Sequence, residues 1–164
     1  MSELVVLSWF ELIEAANGGV ARRVRALHDG RRLEGGREDA GFETDILGVI
    51  GEKALAKWLG VYYVPAVGRL DTEDGDVGLA YQVKATTRKG GSLIVRPQDA
   101  ARFPFVLAIV EAPRVSLMGW MEGVDAKVDE FWRPVDASRG VHQAAWFVPQ
   151  SRLEPMESLV GVIV

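Results

Sequence analysis

The order of the hydrophobic patterns is the feature of this sequence that most constrains its fold, because two helical patterns precede several strand patterns. Apolar residues recur at helical spacing over residues 9–27 and again over residues 43–59, and Gly60 stands where the second helix should end. An Asn-Gly-Gly run at residues 17–19 interrupts the first pattern, so that segment is either one helix or two short ones. The chain is therefore expected to begin with helices and to continue as a sheet.

Strand patterns occupy most of the chain after residue 60. Short runs rich in β-branched, aromatic and other apolar residues predict strands at residues 61–67, 79–87, 92–96, 105–111, 115–122 and 144–148. Residues 88–91 (Arg-Lys-Gly-Gly) have hairpin composition and would join the second of these strands to the third. A short turn or helix is expected at residues 154–159. Together these elements predict one domain over residues 1–164, of α/β or α+β class, built around one mixed sheet.

The composition excludes several kinds of site. The chain has no cysteine, which removes disulfides, thiolate zinc sites and cysteine nucleophiles. Its two histidines, His28 and His142, are far apart in sequence and are interpreted as ordinary surface or boundary residues. A metal would therefore be held mainly by oxygen atoms, which favours Mg²⁺, Mn²⁺ or Ca²⁺.

Charge and hydropathy bear on partners and location. The net charge is −4, so the protein as a whole is not a basic nucleic-acid binder, although local basic contacts remain compatible with this charge. No apolar run approaches the ~20 residues of a membrane span, and the N-terminus has acids within its apolar stretch and no basic flank, unlike a signal peptide. We therefore expect no membrane partner and a cytoplasmic location.

Glu52 is the first candidate site residue, because the helical positions that flank it are almost all apolar. A carboxylate in an apolar stripe is costly unless a cation or several hydrogen-bond donors compensate its charge. A cation that compensates this carboxylate is one interpretation of the setting. The alternative is a boundary residue whose carboxylate reaches solvent or an arginine.

A strand and an acidic turn supply the other candidates. Alternation along residues 81–86 places Gln82, Lys84 and Thr86 on one face of the strand; the alternative is an edge strand with one solvated face. Upstream lies a cluster of four acids, for which the alternative interpretation is a solvated, charged turn. The spacing of these acids does not fit an EF-hand loop. The members of this cluster are Asp71, Glu73, Asp74 and Asp76.

The sequence has a helix glutamate, then an aspartate before a strand, and then Gln-x-Lys on that strand. This order resembles the PD-(D/E)xK nuclease superfamily, in which the third acidic position is sometimes glutamine. The resemblance covers residues 51–87, and the runs GEKALAKWLG, DVG, QVKATT and AWFVPQ resemble small phage-encoded members. It implies an α/β, restriction-endonuclease-like core with a central mixed sheet flanked by helices.

The resemblance also implies a function, a Mg²⁺-dependent (or Mn²⁺-dependent) deoxyribonuclease that hydrolyses DNA phosphodiester bonds. Its catalytic residues would be Glu52, Asp76, Gln82 and Lys84. The metal ligands would be Glu52, Asp76, Gln82 and the Val83 carbonyl, with Asp71 or Asp74 as alternatives to Asp76. Lys84 would position the attacking water and stabilise the pentavalent phosphorane.

The expected partner is DNA in a bacterial or phage-infected host cell. Thr86, Arg88 and Lys89 follow the motif strand and could meet the phosphate backbone, although a solvated hairpin tip is an equal alternative. Family analogy suggests a possible homodimer. A second basic cluster is interpreted as a solvated helix face; it comprises Arg22, Arg23, Arg25, Arg31 and Arg32.

Two other functions compete with an active nuclease. The neutral Gln82 and the net acidity are compatible with a nuclease-like fold that has lost activity and serves as a DNA-binding or assembly module. An unrelated α/β scaffold is the other alternative, and in that case Glu52 and Lys84 would lie far apart in space.

Overall fold

A computed structural model gives the structure of the protein and describes residues 2–30, 41–67, 75–78 and 80–159. Its two long helices are α1, Trp9–His28, and α2, Gly41–Leu59. Ser8 begins α1 with a capping box, in which the Ser8 and Glu11 side chains each accept a hydrogen bond from the other residue's backbone N–H. The helix is continuous through residues 17–19, so the alternative of two short helices is wrong. The end of α2 is as expected, because Gly60 has a φ of 68°.

Two shorter helices and seven strands in two sheets complete the described fold. The shorter helices are α3, Gly123–Ala126, and α4, Met156–Leu159. The strands are β1, Glu3–Val6; β2, Gln82–Thr86; β3, Leu93–Val95; β4, Pro104–Glu111; β5, Arg114–Glu122; β6, Trp132–Arg133; and β7, Ala145–Val148. The class is therefore mixed α and β, as the sequence predicted.

The first sheet has the order β1-β5-β4-β2 and is mixed, because β2 runs parallel to β4 while the other pairs are antiparallel. The second sheet has the order β3-β7-β6 and is antiparallel. The expectation of one mixed sheet is thus wrong in part. The predicted hairpin between β2 and β3 is also wrong. Leu93 of β3 pairs instead with Val148, and a pairing that spans so much chain leaves no local sequence signal.

The first sheet lies between the helices and the second sheet. On one face Val83, Val106 and Ala108 pack with α2, where Gly51 allows close approach: a Cβ there would lie 3.1–3.3 Å from Ala85, Val83 and Ala108 side chains. On the other face Phe105 and Leu107 join a second core with residues of the three-stranded sheet. The free edge of the first sheet at β2 is therefore reached by side chains from both layers.

Residues 61–67 are not a strand, contrary to the sequence prediction. The segment lies along the two helices, where a Cβ at Gly18 would meet the Pro65 ring at 2.5 Å and where the Ala66 carbonyl accepts a hydrogen bond from Arg22. Tertiary contacts thus override the local β-propensity of this segment. Strand β1 carried no recognised sequence signal. No helix in the described part of the chain is both long and apolar enough to span a membrane.

Candidate functional site

Glu52 is buried on α2, with 3 % of its surface exposed. Arg22 of α1 binds its carboxylate with two hydrogen bonds, Nη1 to Oε1 and Nη2 to Oε2, each 2.7 Å long. The Tyr63 hydroxyl donates a third hydrogen bond to Oε2. The charge of Glu52 is thus compensated by an arginine and one hydroxyl, which matches the alternative that the sequence left open for this residue.

The clamp on Glu52 alters the pKa values of its partners. Burial opposes the charge of Arg22, but the hydrogen bonds to Glu52 and its negative charge outweigh burial and raise the Arg22 pKa. Burial raises the pKa of the Tyr63 hydroxyl, and the negative charge of Glu52 raises it further. Tyr63 therefore stays protonated and continues to donate its hydrogen to Glu52.

Asp76 lies at the free edge of β2. Its Oδ2 accepts a 3.0 Å hydrogen bond from the backbone N–H of Val83, and the backbone N–H groups of Asp76 and Val77 both donate to the Tyr81 carbonyl. Since the N–H and C=O of one strand residue point to the same side, the Val83 carbonyl faces this edge as well. No residue of the described chain donates to the other Asp76 oxygen, Oδ1.

The charge environment of Asp76 connects it to the other candidate residues. The pKa of Asp76 is raised to about 6, first by burial and second by the nearby negative charge of Glu52. The Val83 N–H and the positive charges of Lys84 and Arg22 act in the opposite direction. Asp76 is therefore close enough to Glu52 on one side and to Lys84 on the other to sense both charges.

Gln82 and Lys84 lie on the face of β2 opposite to α2, because they align with Phe105 and Leu107 of β4. The Lys84 ammonium forms an ion pair with Asp99 Oδ2 at 2.7 Å and lies 5.5 Å from the centre of the Phe105 ring. The alternation predicted for this strand is confirmed. Glu52 and Lys84 consequently approach Asp76 from opposite faces of the sheet.

Asp71 and Asp74, the alternatives to Asp76, lie outside the described residues. Within the described ranges, no group of three or more His, Cys, Asp or Glu side chains is placed to hold a metal. The oxygen atoms that do surround Asp76 are of other kinds as well. They include the Val83 carbonyl, which faces the same edge.

A groove of about 760 Å³ straddles β2 and extends to β3. Thr44 and Gly48 of α2 line it, and Glu52 lies one helical turn further along the same stripe of the helix. The other polar and charged lining side chains are Lys84, Thr86, Arg88, Ser92 and Arg96. No acidic side chain is among the described residues that line the groove, so its charge is positive although the protein is acidic overall.

The groove contains two of the three predicted DNA contacts. Thr86 and Arg88 line it, and the Thr86 hydroxyl also accepts a 3.2 Å hydrogen bond from the Arg88 N–H. Lys89 is not among the lining residues; its ammonium is 3.0 Å from Glu111 at an exposed position.

Sequence reasoning missed three residues of this region: Arg22, Tyr63 and Asp99. The prediction that Arg22 and Arg23 lie on a solvated face is wrong, since Arg22 binds Glu52 and Arg23 is buried with its Nε 3.1 Å from Asp45. A signal was present for Arg22, which lies seven residues after the buried Ala15 and so on the same helical stripe. Tyr63 and Asp99 come from non-helical segments and carried no such signal.

No family model matches this chain, and neither a curated protein nor a solved structure matches it. The chemical interpretation of the site therefore depends on its own geometry.

Proposed function

We propose that the protein is a Mg²⁺- or Mn²⁺-dependent deoxyribonuclease of the PD-(D/E)xK type, with its metal site at the free edge of β2. The proposal rests on one observation: a hydrogen bond holds Asp76 beside Val83 at that edge, where the charges of Glu52 and Lys84 both act on the Asp76 pKa. These are residues that the sequence resemblance names, and Lys84 among them lines the groove beside β2.

The donor set around Asp76 suits a hard divalent cation. No described residue donates to Asp76 Oδ1, and the Val83 carbonyl faces the same edge. We assign the Gln82 carboxamide oxygen, as the resemblance implies, to the same cation. Oxygen donors of these kinds are the ones that Mg²⁺ and Mn²⁺ prefer. When bound, such a cation supplies Lewis-acid charge to a phosphodiester and lowers the pKa of water.

Glu52 fits an indirect role better than direct ligation. A carboxylate has about four acceptor positions, and Arg22 and Tyr63 occupy three of those on Glu52. The remaining position, on Oε1, can accept a hydrogen bond from water. We therefore assign Asp76 to the cation and Glu52 to the orientation of water next to it.

Lys84 is the group that stabilises the negative charge that grows on the phosphate oxygens. Its ammonium is compact and is held at the groove by Asp99 and the Phe105 ring. When DNA enters the groove, a phosphate oxygen replaces Asp99 as one partner of Lys84. The arginines at residues 88 and 96 bind neighbouring phosphates without reading sequence.

The test is Mg²⁺- or Mn²⁺-dependent cleavage of linear, single-stranded, flapped and branched DNA. Asp76→Asn and Lys84→Ala should each reduce cleavage by at least about 100-fold, the usual contribution of one charge-stabilising group. Lys53→Ala is a matched control, because Lys53 is also partly buried and ion-paired, with Glu14 at 2.7 Å, but lies outside the groove. Equal cleavage by the wild type and the Lys84→Ala variant on every substrate would overturn the proposal.

A second candidate function, an inactive nuclease-like DNA-binding or assembly module, is favoured by one observation. Both charged groups beside Asp76 already have partners, Glu52 with Arg22 and Lys84 with Asp99. Calorimetric titration with Mn²⁺ separates the two functions. The nuclease requires heat of binding that disappears in Asp76→Asn, whereas the module predicts DNA binding by both proteins without metal uptake.

A further inference from the structure

The face of α1 opposite to α2 carries a regular apolar seam. Its residues follow the alternating three- and four-residue spacing of a coiled coil, with one polar residue, Asn17, in the series. Phe10 is 77 % exposed, Val24 53 % and Leu27 57 %. The seam comprises Phe10, Ile13, Asn17, Val20, Val24 and Leu27.

The seam lies away from the core, so the packing of this chain does not bury it. The buried residues of α1, Ala15, Gly19 and Arg23, lie on the opposite side of the helix and face α2. Successive residues of a helix are about 100° apart, which places Asn17 and Val24 roughly 160–200° from Ala15. Burial of the seam therefore requires something beyond the contacts that hold α1 to its own chain.

We propose that a second copy of this chain covers the seam, with the two α1 helices parallel and in register about a twofold axis. In this arrangement each seam residue meets its own copy. The three- and four-residue alternation places Phe10, Asn17 and Val24 at one class of core position, and Ile13, Val20 and Leu27 at the other.

Asn17 is the reason for choosing a second copy over another apolar partner. A carboxamide buried in an apolar seam is costly unless its donors and acceptors are satisfied. In a parallel pair each Asn17 amide can donate to the side-chain oxygen of the other, which also fixes the register of the helices. An acyl-chain surface or a featureless apolar groove offers no such partner.

The available apolar area is adequate for a dimer. The patch continues at its N-terminal end with Trp9, which is 72 % exposed. Trp9 and Phe10 alone present roughly 200–350 Å², given that an aromatic residue buries about 150–250 Å². A stable interface buries about 800 Å² per partner, and the four aliphatic residues of the seam extend the surface toward that size.

Crosslinking tests the register, because the chain has no native cysteine. Under mild oxidation Asn17→Cys should form a covalent dimer, since parallel in-register helices bring the two introduced thiols together. Arg25→Cys is the control, on the same helix but off the seam and 55 % exposed. Equal crosslinking by the two variants would overturn the proposed pairing.

Sedimentation of the full chain tests the interface itself. The wild type should be a dimer, and Val24→Glu should weaken the dimer at least about tenfold while the circular dichroism spectrum is unchanged. A wild type that remains monomeric at 100 μM total concentration (about 100-fold above a micromolar dissociation constant) overturns the proposal. So does binding of monomers to phosphatidylserine vesicles through the same seam, since that result would identify a membrane as the occupant.

Discussion

At the scale of single residues, the pairing of Glu52 with Arg22 and Tyr63 has the largest energetic consequence. Removal of one partner from a buried ion pair leaves an uncompensated charge, which costs about 3–5 kcal/mol. Glu52 is held by two different segments, since Arg22 lies on α1 and Tyr63 lies in the segment after α2. The same three side chains therefore stabilise the helix layer and set the charge beside Asp76.

Asp76 gives a pH-dependent prediction. Its pKa is raised from 3.8 to about 6 by burial first and by Glu52 second, with Lys84 and Arg22 opposing. The folded state thus binds more protons than the unfolded state between these values, and the contribution of Asp76 to stability falls as pH rises from about 4 to about 6. In Asp76→Asn this fall is absent.

Urea unfolding in EDTA at several pH values measures this effect. The stability of Asp76→Asn relative to wild type should increase by about 2 kcal/mol between pH 4 and pH 7, since each pKa unit is worth about 1.4 kcal/mol. Asp125→Asn, at an exposed position of α3, provides the control and should follow the wild type. A difference between wild type and Asp76→Asn that does not change with pH would contradict the raised pKa.

The sequence could indicate that Glu52 needs compensating partners and which residues share a face of β2, but not which groups pair with them. The apolar stripe around Glu52 correctly predicted that its carboxylate needs compensation, and alternation correctly placed Gln82 and Lys84 on one face of β2. The identity of the compensating groups depends on contacts between residues 11 to 30 positions apart. The pairing of Lys84 with Asp99 depends on the path of the chain between two sheets, for which a single sequence carries no signal.

At the scale of elements, the glycines in the middle of α1 determine how closely the two long helices approach. A Cβ at Gly19 would lie 2.5 Å from the Cα of Ile46 in α2, a contact that only movement of backbone can relieve. The glycines therefore cost intrinsic helix stability but allow the packing of α1 on α2. In the sequence these glycines indicated a helix interruption. That interpretation was wrong because the close packing they allow is made with another element, α2.

Alanine substitution separates these two effects. Gly19→Ala should lower the free energy of unfolding by about 1–3 kcal/mol, since overpacking outweighs the gain in helix propensity. Gly48→Ala is the matched control within α2, because a Cβ at Gly48 meets nothing within 4 Å. It should raise the free energy of unfolding by about 1 kcal/mol. Urea unfolding measures both, and equal changes in the two variants would show that close approach is unimportant.

Local patterns predicted the elements better than their partners. Both long helices and the strands β4 and β5 follow from sequence patterns within a few residues. The division of strands between two sheets does not, since β2 pairs with β4 and β3 pairs with β7 across intervening chain. Segment 61–67 has strand composition, yet its contacts with Gly18 and Arg22 hold it as irregular structure.

At the scale of the whole molecule, the net charge of −4 coexists with a groove whose charged side chains, among the described residues that line it, are all basic. A protein of this kind is repelled by DNA except where the groove faces the backbone. Phosphate contacts release counterions, so affinity depends on salt according to the number of contacts. The charge distribution therefore predicts binding in one orientation, with β2 next to the phosphates.

Substitution of the groove arginines tests this orientation. Arg88→Ala and Arg96→Ala should each weaken binding to duplex DNA and make the slope of log affinity against log salt shallower by about 0.9. Fluorescence anisotropy in EDTA measures the slope without cleavage. Arg139→Ala removes an arginine with 82 % of its side chain exposed and outside the groove, and should leave the slope unchanged. The same slope in all four proteins would exclude this groove as the binding surface.

The position of Asp76 at the edge of β2 also protects the protein from self-association into aggregates. Unpaired backbone groups along an edge strand recruit strands from other molecules, and here the Val83 N–H and the Tyr81 carbonyl are already occupied by residues 76 and 77. An asparagine at residue 76 keeps an oxygen that can accept from Val83, whereas an alanine uncovers the N–H. Asp76→Ala should therefore yield less soluble protein than Asp76→Asn, so loss of activity at this residue has to be measured on the asparagine variant.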